Sequence, residues 1–245
     1  MKGLGLPPSL EKHLAAVHAA ANEIVKKAPG SRNSQLIKTN ALEANLRPAL
    51  VFLCARLCGQ PAANVHPVAA AIQFIFLAGL IHRRAVREEI EGKDLKSAIL
   101  LGDYLYSNSF RVLADAGLQR LLVPLSRVVC AESEAAVGAA DEATPDPETV
   151  RKETALLIGE CCRLPGVLAE AEFLSELYDF GVNLGMVHGC RQRTYSFQAA
   201  AYLEAAEERL LKLPAVPARQ QLKRMLNLVA RNNSSGNTCH PVGII

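Results

Sequence analysis

The chain has 245 residues, enough for one large domain, and half of them are apolar, which is ample for a buried core. A net charge of +3, evenly spread, argues against nucleic-acid binding. Aromatics make up 5%, Trp is absent and Ala and Leu abound, so the composition favours helices over strands and predicts an all-α fold. In chain order, the first helix is predicted over residues 9–27, capped by Ser9, with Leu10, Leu14, Val17, Ala21, Ile24 and Val25 at helical spacing. A second runs from Gln35 to Cys58 and leaves through Gly59-Gln60-Pro61. His66 to Glu91 reads as a core helix, apolar to Ile81 and then abruptly charged, with its end emerging into a cleft or solvent. Helices over Leu95 to Ala114 and Leu118 to Val137 flank a turn at Gly117. After a polar loop, Asp146 or Glu148 begins a helix to Cys162, and Leu164-Pro165-Gly166 ends it. A helix carrying Leu174, Leu177, Phe180 and Leu184 continues to about Thr194, and a last pair covers Tyr202 to Leu213 and Ala218 to Arg231. Residues 1–231 are expected to form one domain, and 232–245 a loosely ordered tail.

The longest apolar run, Val68 to Ile81, contains Gln73 and is too short for a bilayer core, so no membrane span is expected. MKGLGLPPSLEKHL lacks a secretory pattern, which points to the cytoplasm. The seven cysteines, an odd number without CxxC pairs, read as reduced core residues. No glycine-rich phosphate loop, dinucleotide fingerprint or Ser, His and Asp set at recognisable spacing is present.

Five segments in order, LRPALVFLCARLCG (46–59), AAAIQFIFLAGLIH (69–82), LLGDYLYSNSF (100–110), ETALLIGECCRLPG (153–166) and FGVNLGM (180–186), resemble the trans-isoprenyl (polyprenyl) diphosphate synthases. The resemblance implies an isoprenoid synthase-like helical bundle, here shortened at its C-terminal end. It also implies a dimer packed through central helices and two aspartate-rich motifs facing each other across a cavity. In that family each motif binds magnesium, and the metal ions hold the allylic diphosphate while it ionises, which requires oxygen ligands of the carboxylate kind.

Aligned on His82, the first motif, HDDxxD, carries Arg83, Arg84 and Arg87 where the family has acids. The second, aligned on the FGxNLG segment, carries Gln192, Arg193 and Ser196. The family's GGKRxRP reads Leu42 to Pro48 and keeps only Arg47, a family histidine falls on Phe76, and the KT pair becomes Glu153-Thr154. With no carboxylate at the motif positions, magnesium binding is predicted lost, leaving no cofactor and no catalytic residue.

The leading expectation is therefore a non-catalytic homologue, inactive alone, that serves as the regulatory or small subunit of a heteromeric prenyltransferase. Its partner would be a full-length polyprenyl diphosphate synthase subunit, or a second copy of itself. The alternative is a stand-alone module in which Arg47, Arg83, Arg84 and Arg87 bind an isoprenoid diphosphate without metal. Against it stands the reading that Glu88, Glu89, Glu91 or a partner protein meets those charges. An active trans-prenyltransferase is the third reading. His82 and His188 are expected in structural roles, and Asp103 in a contact between helices. Cys54 and Cys58, a CxxxC that also occurs in non-catalytic small subunits of plant prenyltransferases, are expected to pack.

Overall fold

The computed structural model describes residues 8–28, 33–87, 90–138, 146–193 and 196–231, and every regular element among them is helical. Two helices have too few polar side chains to face water and form the centre. α3 (Ala41–Leu57) buries nearly its whole circumference, and α4 (Ala62–Val86) is buried from Val68 to Gly79. α1 (Pro8–Lys27) lays its apolar stripe on both. Beyond the short α2 (Asn33–Leu36), α5 (Gly92–Asp115) and α6 (Leu122–Gly138) each pack on α4. A second layer follows: α7 (Pro147–Val150) passes through a π turn (Arg151–Ala155) into α8 (Leu156–Leu168), and α9 (Leu174–Gln192) packs on the turn and on α8. α10 (Ser196–Lys212) and α11 (Pro217–Arg231) close the bundle over α9 and α3. One apolar cluster runs through the whole, from Leu10 to Val229.

Several boundaries differ from the sequence reading, each for a local reason. Ser9 lies inside α1, which already begins at Pro8, and its hydroxyl accepts from Arg56 Nη2 at 2.9 Å rather than capping the helix. The segment from Gln35 to Cys58 is broken at Asn40, whose side chain accepts from the Glu43 amide at 2.9 Å in a capping box that starts α3 afresh. Pro165 sits inside α8, and the helix ends later. Its end is a Schellman motif, with the Ala171 amide on the Gly166 carbonyl at 3.0 Å and Glu170 left-handed at φ 53°. The same motif ends α3 and α5, but there glycines, Gly59 and Gly117, hold the left-handed position. Glu170→Gly is therefore expected to stabilise the chain by roughly 1 kcal/mol in urea denaturation. A loss would mean that the glutamate side chain contributes more than its backbone costs. The tail at 232–245 lies outside the described residues.

α4 outlasts its apolar run, and by length and composition it could cross a bilayer, yet 78% of that stretch is buried in the bundle. The FGVNLGM segment is a packing device. A Cβ on Gly185 would lie 2.5 Å from Ala155 Cα, and one on Gly181 would lie 2.6 Å from the Ile158 carbonyl oxygen. These two glycines let α9 touch the backbone of the π turn and α8.

Candidate functional site

The charged end of α4 leaves the core after Ile81 and faces a cleft bounded by the start of α3, by α6, by the π turn and by the end of α9. His82 turns the other way, onto α5. Its imidazole lies where a Cβ on Gly102 would be, with Nε2 3.2 Å from the Ile99 carbonyl oxygen and 3.5 Å from Asp103, and the ring against Tyr106. The glycine of LLGDYL thus makes room for this histidine, which is a helix-to-helix contact. Asp103 reaches across from α5 with its side chain 63% exposed.

The three arginines of the first motif each have a destination. Arg84 donates to the Leu36 carbonyl at 2.6 Å and ties α4 to α2. Arg83, only 12% exposed, lies 3.8 Å from Glu132, an ion contact too long for a hydrogen bond. Arg87 Nη2 spans both oxygens of Glu153, at 3.2 and 3.1 Å, and Arg193 of the second motif donates to the same carboxylate. Glu153 is 1% exposed. The acids in the cleft come from outside the two motifs, Glu132 from α6 and Glu153 from the π turn. Of the nearby acids expected to meet Arg83 and Arg87, Glu88 and Glu89 lie outside the described residues, and Glu91 is the exposed residue that precedes α5.

Motif alignment singles out neither acid as a counter-ion, although Glu132 carries a signal in the sequence, since it falls among Leu125, Val128 and Ala135 on the buried face of α6. A polar residue on such a stripe needs a partner. Burial, opposed by Arg83 and Arg47, pushes the Glu132 carboxyl up to about 7, and the Tyr106 hydroxyl donates to it. Glu153 stands out in the sequence only as the residue in place of a family lysine.

Arg47 is buried, with its guanidinium 3.7 Å above the Phe76 ring, a cation–π contact in which the former histidine position has become the support. Burial lowers it to about 10, and its Nε and Nη1 have no hydrogen-bond partner among the described residues. Gln192 bridges α9 to α3, donating to Glu43 at 2.6 Å and lying 3.1 Å from His188 Nε2. Burial, reinforced by Arg47 and Arg193, holds His188 down at about 3, so it is a neutral imidazole that accepts from Gln192. The structure thus brings Arg47, Arg83, Arg87, Gln192 and Arg193 to one cleft and leaves Arg84 at its edge. Ser196 is the first residue of α10, and only its backbone is described. The Cys54 and Cys162 thiols touch across α3 and α8, and burial raises Cys162 well above its ordinary value; Cys58 is pushed up to about 12, so these are packing groups.

The magnesium ions that the resemblance implies do not fit these residues. The buried carboxylates Glu132 and Glu153 each lie against guanidinium groups, so a divalent cation would have to displace or repel Arg83, Arg87 and Arg193. Among the described residues, no group of three or more His, Cys, Asp or Glu side chains could hold a metal ion.

No family model matches the chain. It is 26% identical over 198 residues to heptaprenyl diphosphate synthase component 2 of Geobacillus stearothermophilus, covering 72% of this chain and 61% of that protein, so it spans about three-fifths of its relative's length. Its fold matches the decaprenyl diphosphate synthase of Rhodobacter capsulatus with a TM-score of 0.78 at 22% identity, over 91% of this chain and 96% of that one. It also matches the geranyl diphosphate synthase small subunit of Antirrhinum majus, with a TM-score of 0.65 at 16% identity, over 91% and 99%. The chain is thus similar in sequence to heptaprenyl diphosphate synthase component 2, and it has the all-α, isoprenoid synthase-like fold of the prenyl diphosphate synthases it matches.

Proposed function

We propose that this chain is a non-catalytic component of a heteromeric polyprenyl diphosphate synthase, working beside a full-length catalytic subunit. The carrying observation is the pair of ion clusters in the cleft, Arg87 and Arg193 on Glu153 and Arg83 on Glu132. Guanidinium groups stand where the reaction needs metal-binding acids, so among the described residues nothing remains to pull a diphosphate from an allylic carbon. The relative's name, component 2, and the likeness to a small subunit support a partnered role. So does the surface: Val86, Ile99 and Val137 are exposed along a groove of about 310 Å³ between α4, α5 and α6, apolar area of the kind that subunits cover.

Co-expression with a full-length polyprenyl diphosphate synthase tests this reading. The two chains are expected to co-purify and the product length to shift, while the chain alone turns over no labelled isopentenyl diphosphate with Mg²⁺. A partner that neither binds nor changes its product would count heavily against it, and turnover by the chain alone would overturn it. One observation favours a second reading, metal-free binding of an isoprenoid diphosphate: the unpartnered Nε and Nη1 of buried Arg47. In the present arrangement, however, Arg87 and Arg193 are already committed to a carboxylate of the same chain.

A further inference from the structure

We propose that Glu153 is a built-in anion filling a latent oxyanion site of Arg87 and Arg193, and that it keeps the cleft closed to free diphosphate. This rests on the reading above that the cleft has exchanged metal-binding acids for guanidinium groups, and it adds what those groups now hold. Two cations arrive from different helices, Arg87 at the C-cap of α4 and Arg193 at the C-cap of α9, and converge on one carboxylate from a third element. Both oxygens of Glu153 are engaged by Arg87 and one also by Arg193, and the group is 1% exposed, so it sits in the site as a bound ligand would. Arg87 itself is 45% exposed, which opens the site to solvent on one side.

A buried carboxylate held by guanidinium groups can be exchanged for another oxyanion of suitable shape, because the charge-assisted hydrogen bonds are of the same kind. A tethered carboxylate has an entropic advantage over a solute, since no translational freedom is lost when it binds. Glu153 should therefore outcompete free diphosphate in the native chain. Removing its charge takes this carboxylate away from half-exposed Arg87 and from Arg193, a loss that an added anion relieves.

The test is calorimetric titration of inorganic pyrophosphate, in EDTA, into wild type, Glu153→Ala, Glu153→Gln and Glu153→Ala with Arg87→Ala, with thermal melts of each. Glu153→Ala is expected to bind at least about tenfold more tightly than wild type, Glu153→Gln less tightly because its amide still fills the space, and the added Arg87→Ala to remove the gain. If Glu153→Ala unfolds in buffer, pyrophosphate should refold it. A folded Glu153→Ala that gains no affinity, a wild type that binds equally well, or a variant that stays unfolded with and without pyrophosphate would each overturn the proposal. Co-purification with a synthase is scored on the wild-type chain, so failure of the partnership and failure of this site are separate results.

Discussion

Gly185→Ala is expected to cost about 3 kcal/mol or more, enough to consume much of a small domain's stability. The added methyl would lie 2.5 Å from Ala155 Cα and 3.0 Å from its Cβ, so one backbone must move away from the other. Cores rarely absorb such overlap without separating their helices. Urea denaturation checks it directly, with Gly138→Ala as the control because nothing lies within 4 Å of a Cβ there. Equal midpoints for the two variants would show that α9 does not rest on the π turn.

Glu132→Gln should reveal the second large effect as a pH dependence. In the fold the carboxyl is raised from 4.5 to about 7, by burial first, so between those limits it holds a proton that the unfolded chain releases. Folding is thus favoured by this group near pH 5, and the advantage is lost as the pH rises through 7. Glutamine is fixed in the neutral state. The stability of Glu132→Gln relative to wild type should therefore climb by about 3 kcal/mol between pH 5 and pH 8, whatever constant cost Arg83 adds. His188 pulls the opposite way, because its depressed value removes stability as the pH falls below 6.5, but it does so in both proteins and cancels in the comparison. A difference that stays flat over this range would mean that Glu132 is ionised in the fold at pH 5.

Much of the bundle is readable from the chain because helical periodicity survives wherever one face is buried: Leu10, Leu14 and Val17 place α1 without further help. Boundaries depend on finer chemistry. The Asn40 and Glu43 pair announces a helix start that apolar counting passes over, and Pro165 suggests a stop where the helix in fact runs on to Leu168. The site divides in the same way. Its arginines can be found by aligning motifs, whereas their counter-ions cannot, since Glu153 stands 66 residues from Arg87 and meets it only through the packing of three helices. Glu132 was open to discovery as an acid on an apolar stripe, a local conflict that usually marks a buried partner or a function.

The π turn from Arg151 to Ala155 has a geometric consequence for this chemistry. A π turn behaves as one residue inserted into an otherwise regular helix, and each residue of an α-helix advances by about 100°. Trimming one position would restore ordinary pitch, but either Glu153 would rotate off the two guanidinium groups or Ala155 would rotate off Gly185. The local widening lets a single stretch of five residues serve both the electrostatic and the packing contact, which a uniform helix could not point at once.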